Sequence, residues 1–150
     1  MTSSLTAARS PLHHLLARQG HRLTGPRRAI LEAISGSDSP LTVEEIHARV
    51  VQQRVNRVTV YRTIHLLEAA GLLRAVDTAH SSLRYELGEQ FTGHHAHLVC
   101  QRCGRVEELA GCPVPDDAVA RLSRRVRQAR QFRVVDHELR LLGLCRTCHA

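Results

Sequence analysis

Two cysteine pairs with the same spacing, Cys100-Gln101-Arg102-Cys103 and Cys145-Arg146-Thr147-Cys148, account for all but one of the chain's cysteines. Each pair can aim two thiolates at one point. Two such knuckles complete the tetrahedral sulfur shell that zinc takes in structural sites, with no coordination position left for a substrate. Upstream of the first knuckle, His94-His95-Ala96-His97 offers imidazoles suited to a second, exchangeable transition metal. Strand alternation puts His95 and His97 on one face and His94 on the other. Glu86, Glu108 and His137 are the groups available to complete that site. A closed structural metal beside an exchangeable one points to a regulator before an enzyme. Cys112 fits neither knuckle and reads as an ordinary thiol.

Rival chemistries have less support. A hydrolytic zinc site needs an open coordination position, and no nucleophile with an adjacent base is apparent. The deaminase signature, His-x-Glu followed by Pro-Cys-x-x-Cys, is absent. A zinc-containing redox switch that releases metal on thiol oxidation uses the same cysteines and stays as the alternative.

Composition narrows the partners. The formal charge of +7 would fall to about +5 with a zinc tetrathiolate in place, so the chain is basic in either state. Every one of its 21 basic residues is arginine. Arg18, Arg22, Arg27 and Arg28 precede the first following acid, Glu32, and Arg49, Arg54, Arg57 and Arg62 lie between Glu45 and Glu68 with no acid among them. Such local fields suit DNA phosphates. The later run Arg121, Arg124, Arg125, Arg127 and Arg130 reads instead as a solvated helix face. No signal peptide or membrane-spanning stretch is evident, so a soluble protein of the reducing cytoplasm is expected, with no membrane partner.

The elements that must position these residues read as an α+β chain in two units. Leu12, Leu15 and Leu16 form an apolar stripe, and Thr24 stands where it could cap a helix carrying Ile30, Leu31 and Ile34. Thr42 and Glu45 form a capping box, with Leu41 and Ile46 as its hydrophobic staple. Asn56 can cap a helix whose Val60, Ile64 and Leu67 face a core, leaving Tyr61, Arg62 and His65 on the other face. Leu72 to Val76 and Leu83 to Leu87 read as a hairpin, which makes residues 1–87 a winged helix-turn-helix. Residues 88–93 read as a hinge, and residues 94–150 as a small α/β unit. That unit has strands at His95 to Val99, Val106 to Leu109, Phe132 to Val135 and His137 to Leu142, and a helix at Asp116 to Arg130.

Thr24-Gly25-Pro26-Arg27, Thr59-Val60-Tyr61-Arg62, Tyr85-Glu86-Leu87, the run from His94 through Cys103-Gly104, and His137 followed by Gly143-Leu144-Cys145 occur in one order. In that combination the chain resembles the ferric uptake regulator superfamily over nearly its whole length. The resemblance implies a homodimeric, metal-responsive repressor that binds palindromic operators in double-stranded DNA and controls metal homeostasis genes. It implies structural Zn2+ on Cys100, Cys103, Cys145 and Cys148, and a regulatory Fe2+, Mn2+ or Zn2+ on Glu86, His95, His97 and Glu108. His94 and His137 match an additional site in some members, with Asp116 as a candidate to join them. Arg27, Arg57, Thr59, Tyr61 and Arg62 fall where the family meets DNA. Pro40 stands where many relatives carry a first-domain histidine, and Ala96 replaces a frequent aspartate. The regulatory set has no cysteine, which leans toward iron or manganese, and Glu86 stands where peroxide sensors carry aspartate. His80 or Asp77 in the hairpin turn is expected to supply the missing ligand.

Overall fold

The structure is a computed structural model that describes residues 14–18, 20–78, 82–109, 111 and 113–149. Leu12, His80 and Cys112 lie outside the described residues. Residues 14–18 are helical and bury Leu16. Helix α1 (Gly25–Ser35) begins with Pro26 in its first turn, where a missing N–H costs nothing, and buries Ala29, Ile30, Leu31 and Ile34. Thr24 holds the extended cap conformation, but its side chain makes no capping hydrogen bond.

Strand β1 (Leu41–Thr42) runs directly into helix α2 (Val43–Val50). The junction is the expected capping box: Glu45 N–H donates to Thr42 Oγ1 at 3.1 Å, and Thr42 N–H donates to Glu45 Oε2 at 2.8 Å. The same Glu45 oxygen pairs with Arg84 at 2.8 Å, tying the helix start to the hairpin. Leu41 and Ile46 are both buried, as a staple requires. Thr42→Ala should cost about 1 kcal/mol and lower the melting temperature by about 2–4 °C, readable in a thermal melt.

A 3-10 turn (Val51–Gln53) closes on Arg54 at φ 57° and leads to helix α3 (Arg57–Ala69). Asn56 caps α3 by accepting from Thr59 N–H at 2.8 Å. Val60, Ile64 and Leu67 are 0%, 1% and 0% exposed, each contributing roughly 1.5–3 kcal/mol by burial. Past α3, Gly71 takes φ +69°, a left-handed turn that glycine adopts without strain. Strands β2 (Leu73–Val76) and β3 (Arg84–Leu87) follow as an antiparallel hairpin, and β1 pairs with β3 to give the order β1-β3-β2. Three helices and a wing over one aliphatic core make this half a winged helix.

The connector expected as a hinge contains a helical turn, α4 (Glu89–Thr92), ending at Gly93. Beyond it, β4 (Ala96–Cys100) pairs antiparallel with β5 (Val106–Leu109) and parallel with β6 (Arg140–Gly143), in the order β5-β4-β6. Helix α5 (Asp116–Arg130) lies between β5 and β6 in the chain and buries no residue within this protomer. Its arginines are exposed, as a solvated face requires.

Two strand expectations fail. Residues 132–135 join no ladder, and the strand expected from His137 starts at Arg140. Phe132 and Val135 suit a strand by type but stand 62% and 84% exposed, and among the described residues no strand pairs with them. The second core is small: Val99 and Val106 cluster with Val76 of β2.

Candidate metal centres

The four knuckle cysteines converge as expected, their sulfurs all lying within 4.8 Å of one another. Cys100 ends β4, Cys103 follows on the turn into β5, and Cys145 and Cys148 lie just past β6, so the parallel β4/β6 pairing brings the knuckles together. Cys103 and Cys145 sulfurs are 3.8 Å apart. That matches the edge of a tetrahedron with Zn–S bonds of about 2.3 Å, which is roughly 3.8 Å. Backbone N–H groups, first that of Cys145 at 3.3 Å, favour the Cys100 thiolate and hold its pKa down to about 6. The Cys148 thiol is pushed up to about 12, chiefly by its hydrogen bond with Cys145 and then by desolvation. Four cysteine sulfurs thus converge on one point, where a bound cation would favour their thiolate forms, and the donor set fits zinc.

A second cluster joins the two halves. Glu86 of β3 meets His95, just before β4, and His97 within it, with ligand atoms within 4.8 Å of one another. All three are buried, at 5%, 5% and 0% exposure. His95 Nδ1 lies 3.0 Å from the Gly93 carbonyl, which fixes the proton there and leaves a lone pair on Nε2. That Nε2 lies 3.2 Å from Glu86 Oε1 without forming a hydrogen bond, a separation that a cation between the two atoms would use. His97 Nε2 and Glu86 Oε2 are 2.9 Å apart, while His97 Nδ1 is buried without a partner. Two imidazoles and a carboxylate, buried and partly unsatisfied, fit a borderline divalent ion.

Burial alone would raise the Glu86 carboxyl above its usual range. Hydrogen bonds from His97 and Arg74 and their charges outweigh burial, and the pKa lies below that range. Arg74 Nε donates to Glu86 Oε1 at 2.5 Å, and its Nη1 pairs with Glu89.

The remaining expected residues divide. Glu108 faces His97 across the β4/β5 ladder but stays outside the tight cluster. Its carboxyl is raised chiefly by desolvation, against the pull of His95, with Glu86 and Asp38 adding to the rise. Asp38, Glu86 and Glu108 line one cleft of about 260 Å³. His94 and His137 meet, Nε2 to Nε2 at 3.0 Å. Asp116, exposed in the first turn of α5, does not join that pair, and Glu89 takes the acidic place, 3.0 Å from His94 Nδ1. Asp77, expected as a substitute ligand, is largely exposed and faces Arg140 at 3.9 Å. Arg74, Glu89 and Asp38 escaped sequence reasoning. The signal for Arg74 was its register opposite Glu86 in the hairpin, visible once the turn was placed.

On the outer face of α3, Tyr61 is 40% exposed and Arg62 and His65 are exposed with it. Arg57 lies 5.7 Å from the Tyr61 ring centre and pairs with Glu44 of α2. Arg27 Nη1 donates to the Arg22 carbonyl at 2.7 Å, and Thr59 sits in the first turn of α3.

The sequence model of the Ferric uptake regulator family matches residues 18–142. The chain belongs to that family. A ferric uptake regulation protein of Rhizobium leguminosarum bv. viciae is 32% identical over 142 residues, covering 93% of this chain and 95% of the relative. The solved zinc-bound manganese uptake regulator aligns with TM-score 0.66 and 33% identity over 89% of this chain and 98% of that one. The ferric uptake regulator of Helicobacter pylori has the same fold, with TM-score 0.76 at 22% identity over 99% and 95% of the two chains. As a ferric uptake regulator family member, the protein is a metal-responsive regulator of transcription and not an enzyme. Regulators of this family bind DNA as dimers. Among the described residues no helix is long and apolar enough to cross a membrane.

Proposed function

We propose that the protein is a cytoplasmic repressor whose grip on palindromic operators is switched by a divalent ion at Glu86, His95, His97 and Glu108. Cys100, Cys103, Cys145 and Cys148 hold structural zinc. The observation that carries this reading is the buried meeting of Glu86, from the wing hairpin, with His95 and His97 of the following sheet. A ligand shifts a two-state protein only through its different affinity for the states. A bound ion would supply positive charge that three buried donors from both halves share. Glu86 pairs with Arg74 of β2 in the wing ladder, its neighbours Tyr85 and Arg84 pair with β1, and β2 follows α3 through the turn at Gly71. Holding Glu86 against β4 therefore fixes α3 relative to the second sheet. Asp38 supports the same closure from the first half, since it lines the cleft with Glu86 and Glu108 while Pro40 offers no donor.

In this reading residues 1–87 bind DNA, 88–93 articulate, and 94–150 dimerise. The exposed Phe132, Val135, Leu141, Leu142 and Leu144 support dimerisation, because so much apolar surface suits burial against a second copy. A dimer with α3 at fixed spacing would enter successive major grooves about 34–36 Å apart. Tyr61 and Arg62 would reach the bases, with Arg27, Arg57 and Thr59 at the backbone. Tyr61→Ala and Arg62→Ala should each weaken operator affinity roughly tenfold or more and leave the thermal melt unchanged, since neither side chain is in the core. His94 and His137 form a further site for a divalent ion.

The deciding experiment is an operator-binding titration of zinc-loaded protein with manganese, iron, zinc, nickel and cobalt in turn. The sensed ion is the one that switches binding at the lowest free concentration relative to the ordinary divalent affinity series. Equal operator affinity with and without every ion would end the metal-sensor reading.

A further inference from the structure

Arg74 stands opposite Glu86 in the β2/β3 ladder, its side chain 23% exposed. Its Nε donates to Glu86 Oε1, and its Nη1 to Glu89 Oε1. Its Nη2 is buried without a partner. The Glu86 oxygen that accepts from Arg74 is the same atom that faces the bare Nε2 of His95 at 3.2 Å. One guanidinium therefore sits on the carboxylate edge that a divalent ion would need, and it already touches a second carboxylate.

We infer that Arg74 is a resident cation that must be handed from Glu86 to Glu89 before a divalent ion can bind, and that this exchange sets the metal threshold of the switch. The inference rests on the proposed regulatory site. A buried carboxylate without a counter-charge is costly, so the metal-free protein needs Arg74 on Glu86. An incoming ion takes over that neutralisation and also repels the guanidinium. Arg74 is half-buried and cannot simply be left unpaired, and Glu89, already bonded to its Nη1, is the acceptor within reach. Glu89 sits on α4, between the wing and β4, and its other oxygen is 3.0 Å from His94 Nδ1. The exchange thus breaks an ionic contact within the wing and leaves Arg74 on the connector alone.

The signs of two substitutions separate this from a role in merely shaping the site. Removing the resident cation in Arg74→Gln should raise Mn2+ affinity at least tenfold while lowering the melting temperature of the manganese-free, zinc-loaded protein. Removing the acceptor in Glu89→Gln should lower Mn2+ affinity severalfold. In the double variant the Glu89→Gln effect should vanish, because there is no guanidinium left to receive. The measurement is competition of Mn2+ between zinc-loaded protein and a fluorescent chelator, with His97→Ala as the control for the site. If wild-type protein binds no Mn2+ that His97→Ala removes, the regulatory site itself is misassigned and the inference falls with it. If binding depends on His97 yet Arg74→Gln weakens it or leaves it unchanged, the site stands and the exchange is overturned.

Discussion

Replacing Cys145 with serine should strip zinc from the chain and unfold or dissociate its second half. The apolar packing beyond Gly88 is thin: Val99 and Val106 are the valines buried there, and α5 buries nothing within the protomer. Structural zinc in small domains contributes roughly 10–16 kcal/mol of apparent binding energy, far more than two buried valines supply. Cys145 also donates the N–H that favours the Cys100 thiolate, so the knuckles depend on each other. Metal analysis, thermal melting and sedimentation of the variant should show loss of zinc, a lower transition and a monomer or aggregate. A variant that stays a stable dimer of native structure would remove the cysteines from their proposed role.

His97→Ala should abolish the metal-dependent part of operator binding while the cysteine-bound zinc stays. His97 is 0% exposed and hydrogen-bonded to Glu86, so no other side chain can replace it without rearranging β4. Driving a two-state protein from 1:99 to 99:1 requires about 5.5 kcal/mol of differential binding, and a site short of one buried donor should fall well below that. The expected readout is a loss of at least roughly 100-fold in the increment of operator affinity produced by added metal, about half of that free energy. Retention of one zinc per chain would show that the loss is local. Undiminished switching would place the sensing site elsewhere.

The sequence was most informative where local chemistry and tertiary packing agree. The Thr42/Glu45 capping box, the Asn56 cap and the buried stripe Val60, Ile64 and Leu67 are short-range patterns, and each appears as expected. The histidine face was legible because alternation needs only neighbouring residues. Residues 132–135 failed for the opposite reason: a strand needs a partner, and propensity cannot show whether the same chain provides one. Glu89, which lies 3.0 Å from His94, was passed over because it approaches through a turn that reads as featureless linker. Arg74 was passed over as one arginine among many, although the hairpin register alone makes it the neighbour of Glu86.

Val76 belongs to the wing by sequence, but its side chain packs with Val99 and Val106 of the following sheet. The two halves are therefore not beads on a string. A fragment ending at Leu87 would expose Val76 at the edge of its hairpin and lose the contacts with Val99 and Val106. Grafting this winged helix onto a foreign regulator would lose the same contacts. Recombination among related chains is accordingly expected to preserve residues 76, 99 and 106 as a matched set, with the exchangeable boundary further upstream than the glycine-flanked connector suggests.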